Sequence, residues 1–306
     1  MSDTSTAPRP RRSPLPYALL VPAVAALVLA LGYPLVRQVV LSFQDFGLAQ
    51  QFGKPPEWVG LDNYKALITD DYLWLVTLRS IVFCLVNAVL TMVLGVGLAL
   101  LMRHMATGIR ILVQTGLLLA WAMPIVASLT VWQWLFDTNY GVINYLLTQI
   151  GFDFEGHSWL LRPLSFFFVA TVIIVWMSVP FVAFTVYDAL THVSDELIEA
   201  AEIDGAGAAA RLRHIIFPTI KPVLMVVGIL QVIWDLRVFS QIYILQKAGG
   251  STHDTNLLGT YIYRLGIGTG EFGMAAAVAI FMLVLTVALT SPYLRVMLKQ
   301  EKESEV

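Results

Sequence analysis

Six long apolar runs, at 16–36, 73–102, 111–136, 163–190, 222–245 and 272–294, alternate with stretches where the charged and polar residues collect. Each run reaches about the 20 residues that a helix needs to cross the ~30 Å hydrocarbon layer of a bilayer. The pattern predicts an all-α membrane protein with six transmembrane helices. The 73–102 run is longer than a perpendicular crossing needs, which predicts a tilted span. Pro124 predicts a kink in the third span, and Pro180 lies inside the fourth. The first run is too long for the apolar core of a signal peptide and lacks a convincing small-residue cleavage site, so it reads as a retained span. Residues 1–14 are polar, proline-rich and carry Arg9, Arg11 and Arg12, the composition of a disordered tail. A single membrane domain at 15–295 follows, and a charged, mobile tail at 296–306 ends the chain.

The one long polar stretch in the C-terminal half, at 191–221, has its own internal order. Ser194 is a good N-cap, and Asp195, Glu196 and Glu199 put negative charge near the positive end of a helix dipole. Gly205 is placed to end that helix, because a left-handed backbone costs glycine nothing. A second short helix brings Arg211, Arg213 and His214 toward its C-terminus, and Pro218 and Pro222 are expected to stop it and launch the next span. Small residues around the bend, Ala200, Ala201, Gly205 and Ala206, would let another protein surface approach the backbone. A plain connector between two spans would look similar in outline.

Charges inside the apolar runs are the other polar signal. Asp235 and Arg237 sit near the centre of the fifth run, where an ionised side chain is costly unless it faces a bundle interior or a watery cavity. Two residues apart they point about 200° from one another on a helix, so each should meet something other than its neighbour. Two readings are open: glue between helices, or a substrate path with Trp234 and Phe239 offering apolar faces to a sugar.

Composition narrows the function. With 58% hydrophobic and 13% charged residues, there is too little polar surface to cover a soluble globule. A net charge of −2 gives no reason to invoke nucleic acid. Cys84 is the only cysteine, the histidines show no metal-ligand spacing, and no Gly-x-x-x-x-Gly-Lys-Ser/Thr phosphate loop is present. No carboxylate pair or catalytic triad stands out either, so the chain is not expected to be an enzyme. Of its 19 lysines and arginines, 11 fall in the two tails and the even-numbered loops. That bias predicts cytoplasmic termini and a cytoplasmic 191–221 loop.

Glu199-Ala200-Ala201, then Asp204-Gly205-Ala206, Ile215 and Phe217-Pro218, resembles the cytoplasmic coupling loop of ATP-binding-cassette importer permeases of the carbohydrate-uptake, maltose-type branch. Ala209 and Ala210 stand where the family usually has an aromatic and a polar residue, and Phe217 replaces the usual leucine before the proline. Trp58-Val-Gly-Leu-Asp-Asn-Tyr64 and Tyr140-Gly-Val-Ile-Asn144 are similar to its external segments. Trp176, Pro180 and Phe181 match a pattern of the family's fourth span, with Met177 and Ser178 inside it. Gly249-Gly250 matches its Gly-Gly pair, although Ser251 stands where proline is common.

The resemblance implies the type I importer permease fold and a bacterial or archaeal cytoplasmic membrane. It implies that Glu199, Ala200, Ala201, Asp204, Gly205, Ala206 and Pro218 belong to the ATPase-coupling element. Trp176, Met177, Ser178, Phe181, Trp234, Asp235, Arg237 and Phe239 would then lie along the path of a di- or oligosaccharide. The implied partners are a second permease subunit, two cytoplasmic ATPase subunits that bind ATP and Mg, and an external solute-binding protein. An ion-coupled secondary transporter of a small polar solute is the alternative. It would leave the coupling-loop residues unexplained.

Overall fold

The computed structural model describes residues 15–304, so the tail at 1–14 lies outside the described residues. The chain is helical almost throughout. Helices α1 (Leu15–Leu27) and α2 (Tyr33–Ser42) are joined by a π turn at Val28–Gly32. A two-residue hairpin of β1 (Gln44–Asp45) and β2 (Glu57–Trp58) encloses the single turn α3 (Leu48–Gln51), and α4 (Asp62–Thr69) leads into the long α5 (Asp71–His104). Then come α6 (Thr107–Ala122), α7 (Ile125–Leu135), α8 (Val142–Gln149) and α9 (Pro163–Thr191). The polar loop holds α10 (Asp195–Ile203) and α11 (Ala208–Arg211). It is followed by α12 (Phe217–Leu236), α13 (Ser240–Lys247), the single turn α14 (Thr252–Thr255), α15 (Leu258–Tyr263) and α16 (Phe272–Ser304).

Among the described residues, five helical stretches are long and apolar enough to cross a membrane, and the bent pair α6–α7 makes a sixth crossing if it is counted as one span. The expected kink in the third span is a bend of 102°. Pro124 causes it: proline has no N–H for the helix ladder and forces the residue before it out of the helical region, so Met123 and Pro124 are both extended, with ψ of 128° and 135°. The fifth span departs from expectation at both ends. Pro218 and Pro222 do not stop the preceding helix. A π turn at Leu212–Ile216, in which the Phe217 N–H reaches back to the Leu212 carbonyl, precedes Pro218, Pro222 lies inside α12, and the helix passes unbroken from α11 into α12. That helix then ends at Leu236, and the Arg237–Phe239 segment breaks the span before α13. The sixth span continues as helix to Ser304, so the C-terminal tail expected to be mobile is helical as far as it is described.

Helix α5 turns its polar and small residues inward, onto the mostly apolar buried face of α9. Along α5, the buried positions Thr77, Ser80, Cys84, Asn87, Thr91, Gly95 and Ala99 recur every three or four residues, while Leu78, Val82, Leu85, Val89 and Val93 are exposed. In lipid the hydrophobic effect does not drive helices together, so small and polar residues at the contact set the packing. Helices α5 and α9 form the most extensive pair. At Gly95 a Cβ would lie 2.6 Å from the Cβ of Val182, so the two backbones meet at a distance only glycine allows. Around this pair, Ala99, Val182, Val186, Leu190, Val193, Ile220 and Val227 form a core beneath the polar loop.

Candidate coupling surface and substrate path

The polar loop is ordered from its residues upward. Ser194 occupies the N-cap position of α10 without a side-chain cap bond, and Asp195 and Glu196 lie in the first turn. At the other end Ile203 is the last helical residue, Asp204 is the C-cap and Gly205 has φ of +83°. The Ala206 N–H donates to the Ala201 carbonyl at 2.8 Å and the Gly205 N–H to Glu202 at 3.0 Å, the two bonds of a Schellman turn. The expected helix stop is therefore present, with both of its hydrogen bonds. Glu199, Ala200, Asp204, Gly205 and Pro218 are exposed, while Ala201 and Ala206 are half-buried.

Helix α10 has two unlike faces. Ile198 packs onto the core that includes Val186, Leu190 and Ile220. Asp195 and Glu202, one turn before and one after it, share that side: Asp195 accepts from Arg103 Nη2 and Glu202 forms an ion pair with Arg211, each at 2.8 Å. On the outer side Leu197 is 59% exposed, and Ile203 at the helix end is 87% exposed. Two large apolar side chains next to the bend are what a protein partner would cover. Leu197 and Ile203 did not stand out in the sequence, and Arg211 did so only as a cation near a helix end, not as an anchor. The i, i+3, i+7 spacing of Asp195, Ile198 and Glu202 was the signal available.

The candidate path residues fall into separate groups. Phe181 of α9 meets Trp234 of α12 edge-on at 5.0 Å, and Trp121 of α6 lies 6.5 Å from Phe181 on another side. Trp176 instead packs against Trp132 of α7 at 5.6 Å, and it lines an apolar groove of about 740 Å³ between α5, α6 and α9. Met177 and Ser178 are half-buried between these groups. Phe239 belongs to a third cluster, 5.4 Å from Tyr243 and 5.3 Å from Tyr263. The structure thus brings Phe181 and Trp234 together and keeps Trp176 and Phe239 apart from them.

The two charges of the fifth span also part company. Asp235 is 2% exposed and accepts from Gln231 Nε2 at 2.9 Å. Cys84 Sγ donates to the Val232 carbonyl nearby at 3.4 Å, which ties the same turn to α5. Arg237 is exposed in the helix break and has no ion-pair partner among the described residues. A position near the span centre was expected for both. The break after Leu236 ends the helix at that point and turns Arg237 away.

The two external segments noticed in the sequence are pinned by asparagines. Asn63 Nδ2 donates to the carbonyls of Ser42 and Gln44, each at 3.0 Å. Asn144 Nδ2 donates to His157 O at 2.9 Å, and its Oδ1 accepts from Trp159 Nε1 at 2.6 Å. Beside it, the backbone N–H groups of Tyr140 and Asn139 hold the Asp137 carboxyl below the usual carboxylate range. In the loop before α15, hydrogen bonds from Ser251 and then His253 do the same for Asp254.

A bundle of membrane-crossing helices that offers a short, anchored helix between its fourth and fifth spans has the form of a transport permease. The chain belongs to the family of binding-protein-dependent transport system inner membrane components, whose sequence profile matches residues 91–293. It is 45% identical to the diacetylchitobiose uptake system permease protein DasB of Streptomyces coelicolor, over 94% of this chain and 88% of that protein. It is 31% identical to the trehalose/maltose transport system permease protein MalF of Thermococcus litoralis, over 94% of each chain. Its fold matches a chain of a bacterial alginate ABC transporter solved with an alginate-pentasaccharide-bound periplasmic protein. The TM-score is 0.78, over 91% of this chain and 92% of that one at 23% identity.

Proposed function

We propose that this chain forms one half of the path for a disaccharide through an ATP-driven importer, with a second permease subunit completing the path. The observation that carries the reading is α10, anchored to the spans on one side and exposing Leu197, Ala200 and Asp204 on the other, in a chain of a binding-protein-dependent transport family. Of the two ATPase subunits of the assembly, one docks on the surface made by Glu199, Ala200, Ala201, Asp204, Gly205 and Ala206. They hold ATP and Mg and carry out the hydrolysis. Pro218 sits where the helix leaving that surface enters the fifth span. An external binding protein releases the sugar into the cavity, and closure of the ATPases moves α10 and rocks the spans to the opposite opening.

Similarity to a diacetylchitobiose permease over nearly the whole chain favours an amino-sugar disaccharide. In the path, the exposed faces of Trp234 and Phe181 offer apolar contact to sugar rings, and Arg237 offers hydrogen bonds to hydroxyl or amide oxygens. Asp235, bonded to Gln231 of the same helix and buried, lies away from this surface.

The test is uptake into proteoliposomes holding this chain with its cognate permease, ATPase and binding-protein partners, with ionophores present to collapse ion gradients. Diacetylchitobiose should enter only with ATP and the binding protein, ahead of trehalose and maltose. Uptake that needs an ion gradient and not ATP would identify the ion-coupled alternative and end the importer reading. In a Cys84-free chain, a cysteine placed at Ala208 should resist an impermeant maleimide applied to intact cells. Rapid labelling there would reverse the proposed cytoplasmic orientation.

A further inference from the structure

Helix α10 leaves the bundle through Val193-Ser194 and returns through the exposed glycine bend at Gly205–Gly207. Val193 is buried in the core, the bend is a hydrogen-bonded turn, and Ile198 packs onto the bundle. Two ion pairs add side-chain links to the neighbouring helices. Arg103, in the last turn of α5, holds Asp195 at 2.8 Å, and Arg211, at the end of α11, holds Glu202 at 2.8 Å. Asp195 and Glu202 are seven residues apart, which puts them on one face about 10 Å apart along the axis. Two anchors at that separation fix the direction of the helix as well as its position. Because α11 continues through the π turn into α12, the second anchor leads straight into the fifth span, and the first leads into α5.

The surroundings make these pairs stronger than ordinary surface ones. Leu100, Ile198, Leu212 and Ile216 line a cleft of about 370 Å³ into which both guanidinium groups reach. Each arginine side chain is only 21% exposed. Arg103 Nη1 is buried without a hydrogen-bond partner, so Asp195 is the carboxylate that balances this half-buried charge. Losing it leaves a half-buried cation without its carboxylate partner, although the carboxylate itself is solvated in the pair.

We propose that Arg103 and Arg211 are positioning residues for transport: two charged clamps that pass a displacement of α10 to α5 and α12. This rests on the reading of α10 as the ATPase-docking element. Without the clamps α10 moves without its side-chain links to the two spans, and ATP is hydrolysed without moving sugar.

The experiment measures diacetylchitobiose molecules imported per ATP hydrolysed by the full complex in proteoliposomes. Arg103→Gln and Arg211→Gln should each lower this ratio about tenfold, within the usual range of coupling effects between sites. Asp195→Asn and Glu202→Gln remove the exposed partners, so they leave assembly intact and should give the same loss. The double variant Arg211→Glu with Glu202→Arg should restore the ratio. Glutamate is favoured in the first turn of the helix beginning at Ala208, and arginine near the C-terminus of α10. An unchanged ratio in the four single variants would overturn the proposal. So would a double variant that regains thermal stability but not the ratio. A wild-type complex with no ATP-driven uptake would instead bring down the importer assignment itself, and the clamps with it.

Discussion

Replacing Gly205 with valine tests whether the bend is a working part. The residue has φ of +83°, where a side chain with a Cβ costs about 1–2 kcal/mol and a β-branched one no less. The chain has two ways to respond. It can keep the turn and bear the strain, or open the turn and lose the bonds from Ala206 to Ala201 and from Gly205 to Glu202, each worth roughly 0.5–1.5 kcal/mol. Either way the last turn of α10 is weakened by about 1–3 kcal/mol. A nine-residue helix has no intrinsic stability to spare. A Cβ at Gly205 has no atom within 4 Å, so the bundle itself feels nothing. Membrane levels and thermal stability of the complex should therefore stay at wild-type values, while sugar-stimulated ATPase activity falls about fivefold or more. Gly207 supplies the control: it has φ of −64° and equally open surroundings, so Gly207→Ala should be silent. Full stimulation in Gly205→Val would show that the bend is only a connector. An equal loss in Gly207→Ala would show that strain is not the cause.

Two further predictions concern the spans. Gly95→Ala would force the α5 and α9 backbones apart, since its Cβ would lie 2.6 Å from two Val182 carbons. A loss of about 1–3 kcal/mol should lower the unfolding temperature of the purified complex, whereas Gly97→Ala, with open space around it, should not. An identical midpoint for the two would contradict the close crossing. Asp235→Leu leaves the buried Gln231 amide unpaired and should cost about 1–3 kcal/mol of stability, while Arg237→Gln should reduce uptake with stability unchanged. The opposite assignment, with Asp235→Leu stable and Arg237→Gln unstable, would exchange their roles.

The six-span plan and the helix–glycine–helix loop follow from local rules, and they are legible in the chain. Apolar length decides whether a helix can cross a bilayer, and Gly205 declares a left-handed turn by its position after an acidic helix start. Proline was the unreliable sign. Pro124 breaks its span by 102°, while Pro218 and Pro222 lie within a helix that runs on through them from a π turn. The outcome depends on which neighbouring helices can hold the freed backbone groups. Tertiary structure decided the fate of the two charges in the fifth span, because packing of α12 against its neighbours buries Asp235 while the break after Leu236 leaves Arg237 exposed. It also decided what anchors α10. Arg103 and Asp195 are 92 residues apart in the chain, and nothing in either local sequence singles out the other. Such a pair exists only once α5 and the loop after α9 have been brought to the same end of the bundle. The side chains that connect a helix to its machine are therefore the last thing a sequence reveals.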